Sequence, residues 1–154
     1  MATASELLPT TDPATGPVHS AREVVPAELW DKQVGLLMRD YPYDSIMAAR
    51  VLGQGYAYLL TAMQHRGEAL GLAPSKLVDI GVHTIILDTV AYAELCDRFN
   101  GGHFLHHVPK VAMKSDGSVM KTAHRIAADG WEVDLSLWAD AAECGPCHPG
   151  NDSH

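Results

Sequence analysis

The chain has 154 residues, which suffices for one domain of ordinary size and not for a second full domain. Its 19 Asp and Glu outnumber its 11 Lys and Arg, and the net charge of −8 argues against nucleic acid and anionic membranes as partners, because such surfaces are bound by basic patches. Hydrophobic residues make up 47% of the chain, yet no apolar run approaches the roughly 18 residues of a membrane span. We expect a globular cytoplasmic protein that binds a small molecule or another protein.

Composition divides the chain into three parts. Residues 1–22 are rich in Thr, Ala, Pro and Gly and lack the cationic start and apolar stretch of a secretory signal, so they are predicted to form a disordered leader. Residues 23–138 carry the apolar periodicity of a helical domain. Residues 139–154 have no such periodicity and are predicted to form a Cys/His-rich metal-binding tail.

Apolar residues recur at helical spacing through the central part, and strand signals are weak, so we predict an all-α, single compact domain of about five helices. The predicted helices cover residues 26–39, 45–63, 77–87, 89–99 and 119–128, with a short element at 133–138. The pattern leaves open whether 77–99 is one helix or two. Gly53 and Gly55 either weaken the second helix or permit close packing. Residues 77–87 are apolar nearly all round, which predicts a buried helix.

Asp79 and His83 lie four residues apart in that helix, so their side chains share one face. In the functional interpretation they are candidate catalytic residues, with His83 a metal ligand or general base whose second ring nitrogen is oriented by the carboxylate. In the alternative they form a hydrogen-bonded structural pair in the core.

The segment 102–118 shows no periodicity and is predicted to be an ordered functional loop. It carries His103, His106 and His107 after two glycines. Adjacent histidines can rarely both face one ion, so at most one of His106 and His107 is expected to bind it. The alternative is a set of surface histidines in a flexible loop. Cys96 precedes the loop on a helix, where a lone cysteine is usually a small buried hydrophobe.

The tail contains the motif Cys144-Gly-Pro-Cys147-His148. A thioredoxin-like redox pair would require a strand before the motif and a helix after it, and the context provides neither. Attachment of a c-type haem fits the motif but would require export. Two thiolates completed by His148, by His154 or by a histidine of the body would hold one tetrahedral ion. Free thiols in an unstructured tail are the remaining alternative.

The middle of the chain resembles the glycine-rich-domain-containing protein family. The resemblance is carried by Val78-Asp-Ile-Gly-Val-His83, by Asp88-Thr89, Tyr92 and Cys96, and by Phe104-Leu-His-His107-Val-Pro109. A closing segment at 128–138 extends it to about residues 75–138. The resemblance implies that His83, Cys96 and His107 belong to one constellation.

Two positions depart from the family pattern. Val82 replaces the tryptophan before the first histidine, and Ile85 replaces the second histidine of the motif. A metal site that uses both family histidines would therefore have lost one ligand here, which Cys144, Cys147 or His148 could replace. Alternatively, the site has become structural.

The sequence thus predicts a small metalloprotein with His83, Cys96, His107, Cys144, Cys147 and His148 as candidate ligands. Zinc suits this mixture of thiolates and imidazoles best, with iron or copper as alternatives. An open position beside His83 and Asp79 would give a metal-dependent hydrolytic or oxidative enzyme, for example in a biosynthetic pathway. Four closed protein ligands would instead indicate a structural zinc in a non-catalytic accessory protein.

Overall fold

The computed structural model describes residues 16–108 and 116–139, and these residues form an all-α protein. A 3-10 helix at Ala21–Val24 is followed by α1 (Ala27–Asp40), α2 (Ser45–Gln64), α3 (Lys76–Leu87), α4 (Thr89–Phe99), α5 (Ser118–Ala128) and the single-turn α6 (Leu135–Trp138). Five of these helices have eleven residues or more, which confirms the predicted fold class. Strand-like pairing within the described ranges is one isolated bridge between His19 and Trp131.

The central element is α2, which buries twelve of its twenty residues. Asp44 begins the helix, because its carboxylate accepts a hydrogen bond of 2.8 Å from the backbone N–H of Met47. The other helices pack around α2, and its most extensive contact is with α3. The core therefore lies on the axis of α2, and α3 is positioned directly against it.

The helices α2 and α3 cross at two glycines. A Cβ atom added to Gly55 would lie 2.8 Å from the backbone carbon of Gly81, and one added to Gly81 would overlap the carbonyl oxygen of Val51. Close packing is thus the reason for the glycine at position 55, as the second of the two sequence interpretations held. The backbones approach so closely that α3 has no freedom to rotate about its axis.

The segment 77–99 is two helices, α3 and α4, which separate at Asp88. Asp88 leaves helical geometry with a ψ of 73°, and its side chain caps neither helix. Its carboxylate instead accepts from Lys32 Nζ at 2.6 Å and from Gln33 Nε2 at 3.4 Å, both on α1. The contact with α1 therefore fixes the break that the hydrophobic pattern left undecided.

The prediction that residues 77–87 form a buried helix is wrong, because its buried residues are only Val78, Gly81, Val82 and Ile85. The side chain of His83 is 40% exposed, and Leu87 is 77% exposed. The helix packs against α2 along the face that carries Val78, Gly81 and Ile85, and its opposite face reaches solvent. The face that carries His83 is therefore accessible.

The described structure begins at residue 16, before the predicted domain boundary at residue 23, and residues 1–15 of the predicted leader lie outside the described residues. His19 accepts a hydrogen bond from Glu132 N and donates one from its own backbone N–H to Gly130 O. At the other end, the indole of Trp138 is completely buried and donates to Gln54 Oε1 at 2.8 Å. Both ends of the described chain are thus tied to the helical body. Within the described residues, none of the helices has the length and apolar character needed to cross a membrane.

Candidate metal centre

The close crossing of α2 and α3 orients the candidate site. Gly81 faces α2, and Asp79 and His83 lie two residues before and after it, which is about 200° of helical rotation in either direction. Both side chains therefore point away from the core. Their exposed fractions of 30% and 40% agree with this orientation.

His83 is held by the preceding turn of its own helix. Its Nδ1 lies 2.7 Å from the backbone carbonyl oxygen of Asp79 and 3.2 Å from Oδ2 of the same residue. A carbonyl oxygen can only accept a hydrogen bond, so Nδ1 carries a proton. In the neutral ring, Nε2 then holds the lone pair and is the atom free to bind an ion or accept a proton.

His107 reaches the same point from the loop after α4. Three side chains hold this loop by its carbonyl groups: Arg66 donates to Asn100 O, the Asn100 amide donates to His103 O at 2.7 Å, and the Tyr92 hydroxyl donates to Leu105 O. These contacts position the loop as far as His107 and place its ring at the surface of α3. Residues 109–115 of the predicted functional loop at 102–118 lie outside the described residues.

The carboxylate of Asp79 joins the two histidines. His107 Nε2 lies 2.9 Å from Asp79 Oδ1, while Oδ2 faces His83. The two imidazole rings meet edge to face, with 5.1 Å between their centroids. One possible ligand atom from each of the three residues lies within 4.8 Å of the others.

This spacing is close to that of a metal site. Ligands with metal bonds of about 2.1 Å stand roughly 3.4 Å apart around a tetrahedral ion, so the three side chains would draw closer together to hold one ion. The His107 ring is only 14% exposed, whereas His83 is open to solvent. The arrangement can therefore hold an ion by three protein ligands and leave a solvent-facing position.

Sequence reasoning missed Tyr58, which forms the inner wall of the site. Its ring meets His107 edge to face with 6.5 Å between centroids, and it is 8% exposed. Burial first, and then the negative charge of Asp79, raise the pKa of Tyr58 to about 12. The phenol is thus neutral at physiological pH. Its position in an apolar stretch of α2 gave no signal of this contact.

The structure brings together three of the predicted site residues, Asp79, His83 and His107. Cys96 lies apart from this group, buried on α4 with a free thiol and 2% exposed. Of the remaining loop histidines, His106 packs on Phe104 with 5.1 Å between ring centroids, and His103 is exposed. Cys144, Cys147 and His148 lie outside the described residues.

The fold and site define an all-α protein with a surface group of two histidines and one aspartate. The chain matches the UCP032817-like family over residues 22–133 and belongs to that family. The matched range contains Asp79, His83 and His107 and ends before the Cys/His-rich tail. Neither the curated proteins nor the solved structures contain a match to the chain.

Proposed function

We propose that this protein is a metalloprotein whose ion is bound by Asp79, His83 and His107. One observation carries the proposal: two imidazoles and a carboxylate, supplied by α3 and by a loop 28 residues further along the chain, converge within 4.8 Å at an accessible point. Zinc is the expected ion, because two imidazoles and one carboxylate form a common ligand set of catalytic zinc. Iron(II) is the main alternative for the same set.

The exposure of the group favours an ion over a structural Asp-His pair. A structural pair serves to satisfy polar groups that folding removes from water, but His83 and Asp79 keep 40% and 30% of their side-chain surface exposed. A structural pair of Asp79 and His83 also does not require the second histidine, His107, that contacts the same carboxylate. An ion among the three residues would take the place of the proton that His107 shares with Asp79.

The contacts of Asp79 support a revised role for this residue. The expected orienting group for His83 was the carboxylate, but the backbone carbonyl of Asp79 makes the shorter contact with Nδ1, at 2.7 Å against 3.2 Å. The carbonyl can therefore fix the ring while the carboxylate is available to the ion. Asp79 would serve as both ligand and orienting group.

Three protein ligands suit a catalytic ion. A fourth, solvent-facing position would be taken by water, which zinc activates for hydrolysis near neutral pH, whereas iron(II) would use its open positions for oxidative chemistry. We therefore propose a metal-dependent enzyme. Membership of the glycine-rich-domain-containing protein family is a further proposal, which rests on the sequence motif alone.

The second candidate function is a structural zinc in an accessory protein. It is favoured by the Cys144-x-x-Cys147-His148 motif, whose donors could close the fourth position. The residues of the body are the same in both candidates, and only the occupant of the fourth position differs.

Zinc titration of the untagged full-length protein by calorimetry tests the proposal. We expect about one zinc ion per chain, with affinity reduced at least tenfold in His83→Ala and His107→Ala, which each remove a donor, and in Asp79→Asn, which removes the negative charge of the oxygen donor. His124→Ala, an exposed histidine of α5, is the matched control and should bind as the wild type does. Unchanged zinc affinity in both His83→Ala and His107→Ala would refute the site.

A further inference from the structure

A cavity of about 330 Å³ lies between α5 and residues 70–72 of the segment that links α2 to α3. The backbone N–H of Ala73 donates to Thr122 Oγ1 of α5 at 2.9 Å, and this contact fixes the linking segment against the helix. The described residues that line the cavity include no member of the candidate metal centre. The cavity is therefore separate from that centre and independent of the function proposed for it.

Two basic side chains of α5 line this cavity. Lys121 and Arg125 lie four residues apart, which places them on one face of the helix. Lys121 is exposed, and its ammonium group makes no ion pair or hydrogen bond within the described residues. The chain has 19 acidic and 11 basic residues, so an unpaired cation beside a cavity is an unexpected feature.

Arg125 also lacks an acceptor. Its Nη2 lies 3.4 Å from Nδ1 of His65, but each ring nitrogen of His65 is 2.6 Å from a carboxylate oxygen, Nδ1 from Glu68 and Nε2 from Asp129. Two such contacts require a proton on each nitrogen, so neither nitrogen can accept from Arg125. The Nε of Arg125 is buried and has no partner. In the described part of the chain, this guanidinium therefore has donors and no acceptor.

The other lining groups define what an acceptor could carry. Leu70, which is 40% exposed, and Leu72 provide an apolar wall. Asp116 also lines the cavity, and its Oδ1 accepts from the backbone N–H of Ser118 at 3.0 Å. Against the two cations of α5, this carboxylate leaves one positive charge in excess. The cavity thus combines a net positive charge with hydrocarbon.

We propose that this cavity binds a small organic anion with one carboxylate group and an apolar part. The carboxylate would accept from the accessible N–H groups of Arg125 and Lys121, because a planar guanidinium matches a carboxylate and its partly exposed end reaches the cavity. The apolar part would lie against Leu70 and Leu72. One excess positive charge favours a monoanion over a phosphate dianion. The volume exceeds the roughly 150 Å³ that admits one benzene ring, so a ring with a carboxylate has room.

Benzoate is the probe for the test, titrated into the full-length protein and followed by NMR. The protein is freed of metal first, so that the carboxylate cannot bind an ion at Asp79, His83 and His107. We expect saturable shifts in the backbone amide signals of Leu72, Ser118 and Lys121, and unmoved signals in α1. This measurement uses the wild type alone and does not depend on the folding of any variant.

Variants of equal charge change locate the binding. Arg125→Gln should weaken benzoate binding roughly tenfold or more, because it removes the charge-assisted hydrogen bonds. Arg39→Gln removes the same charge from an exposed position on α1, outside the cavity, and should bind as the wild type does. Inorganic phosphate should bind more weakly than benzoate.

The proposal is overturned if benzoate does not saturate, if its shifts lie elsewhere, or if folded Arg125→Gln binds it as the wild type does. Tighter binding of inorganic phosphate than of benzoate would overturn the assignment of a carboxylate. None of these outcomes bears on zinc binding by the candidate metal centre.

Discussion

Asp79 contacts both histidines of the candidate metal centre, with Oδ1 facing His107 and Oδ2 facing His83. The spacing of Asp79 and His83 places them on one helical face, and that was predicted. The contact with His107 joins positions 28 residues apart and depends on a loop held by Arg66, Asn100 and Tyr92. Contacts of this kind have no local pattern, so the sequence could nominate the loop histidines but could not select among them.

His65 makes two side-chain contacts that the sequence analysis did not predict. His65 ends α2 and lies 2.6 Å from Glu68 Oε2 through Nδ1 and 2.6 Å from Asp129 Oδ2 through Nε2. The hydrogen bond to Glu68, followed by that to Asp129, raises the pKa of His65 above 6.5 despite the opposing charge of Arg125. The ring thus joins the end of α2 to the end of α5.

The raised pKa of His65 predicts a pH-dependent stability. A group whose pKa is higher in the folded state stabilises that state fully below its unfolded pKa of about 6.5, and the contribution is lost as the pH rises through the folded pKa. The free energy of unfolding in urea, measured with a chelator between about pH 6 and about pH 9, should therefore contain a falling component that His65→Gln removes. His124→Gln should retain it. An identical pH slope in His65→Gln and the wild type would contradict this prediction.

The spacing of apolar residues predicted where the helices lie better than it predicted which of their residues are exposed to solvent. All five long helices and the glycine stop after α4 follow from periodicity and from Gly101 and Gly102, which both adopt positive φ. The exposure of His83 and Leu87 could not be predicted from the number of apolar residues in α3. That number does not show that the face of α3 with Gly81 is the one packed against α2. Asp88 likewise breaks the segment through contacts with α1, which local propensity does not contain.

Two glycine substitutions should have opposite effects on stability, one at the crossing of α2 and α3 and one on the exposed side of α1. Gly81→Ala should lower the free energy of unfolding by about 1–3 kcal/mol, because the added methyl group meets the Val51 backbone and α3 must move. Gly35→Ala, on the exposed side of α1 with no atom near the added Cβ, should raise it by about 0.5–1 kcal/mol through helix propensity. Chemical denaturation of both variants provides the measurement. A Gly81→Ala protein as stable as Gly35→Ala would show that the helices do not cross as described.

For the molecule as a whole, the family match and the helical body cover the same part of the chain. The UCP032817-like match at 22–133 includes Asp79, His83 and His107, whereas Cys144, Cys147 and His148 lie beyond it and beyond the described residues. The sequence predicted metal ligands in both the body and the tail, and the described residues include only those of the body. The tail ligands remain a prediction, and they bear on whether the fourth position of the proposed ion is open or closed.

Zinc-edge X-ray absorption of the zinc-loaded full-length protein is a direct test of the proposed metal centre, because it reports the atoms bound to the ion. We expect scattering from two imidazole rings, with nitrogen and oxygen neighbours at about 2.0–2.1 Å. Additional sulfur at about 2.3 Å would show that the tail closes the site and that the ion is structural. A spectrum of sulfur ligands without imidazole scattering would place the ion away from His83 and His107 and would refute a metal site at these residues.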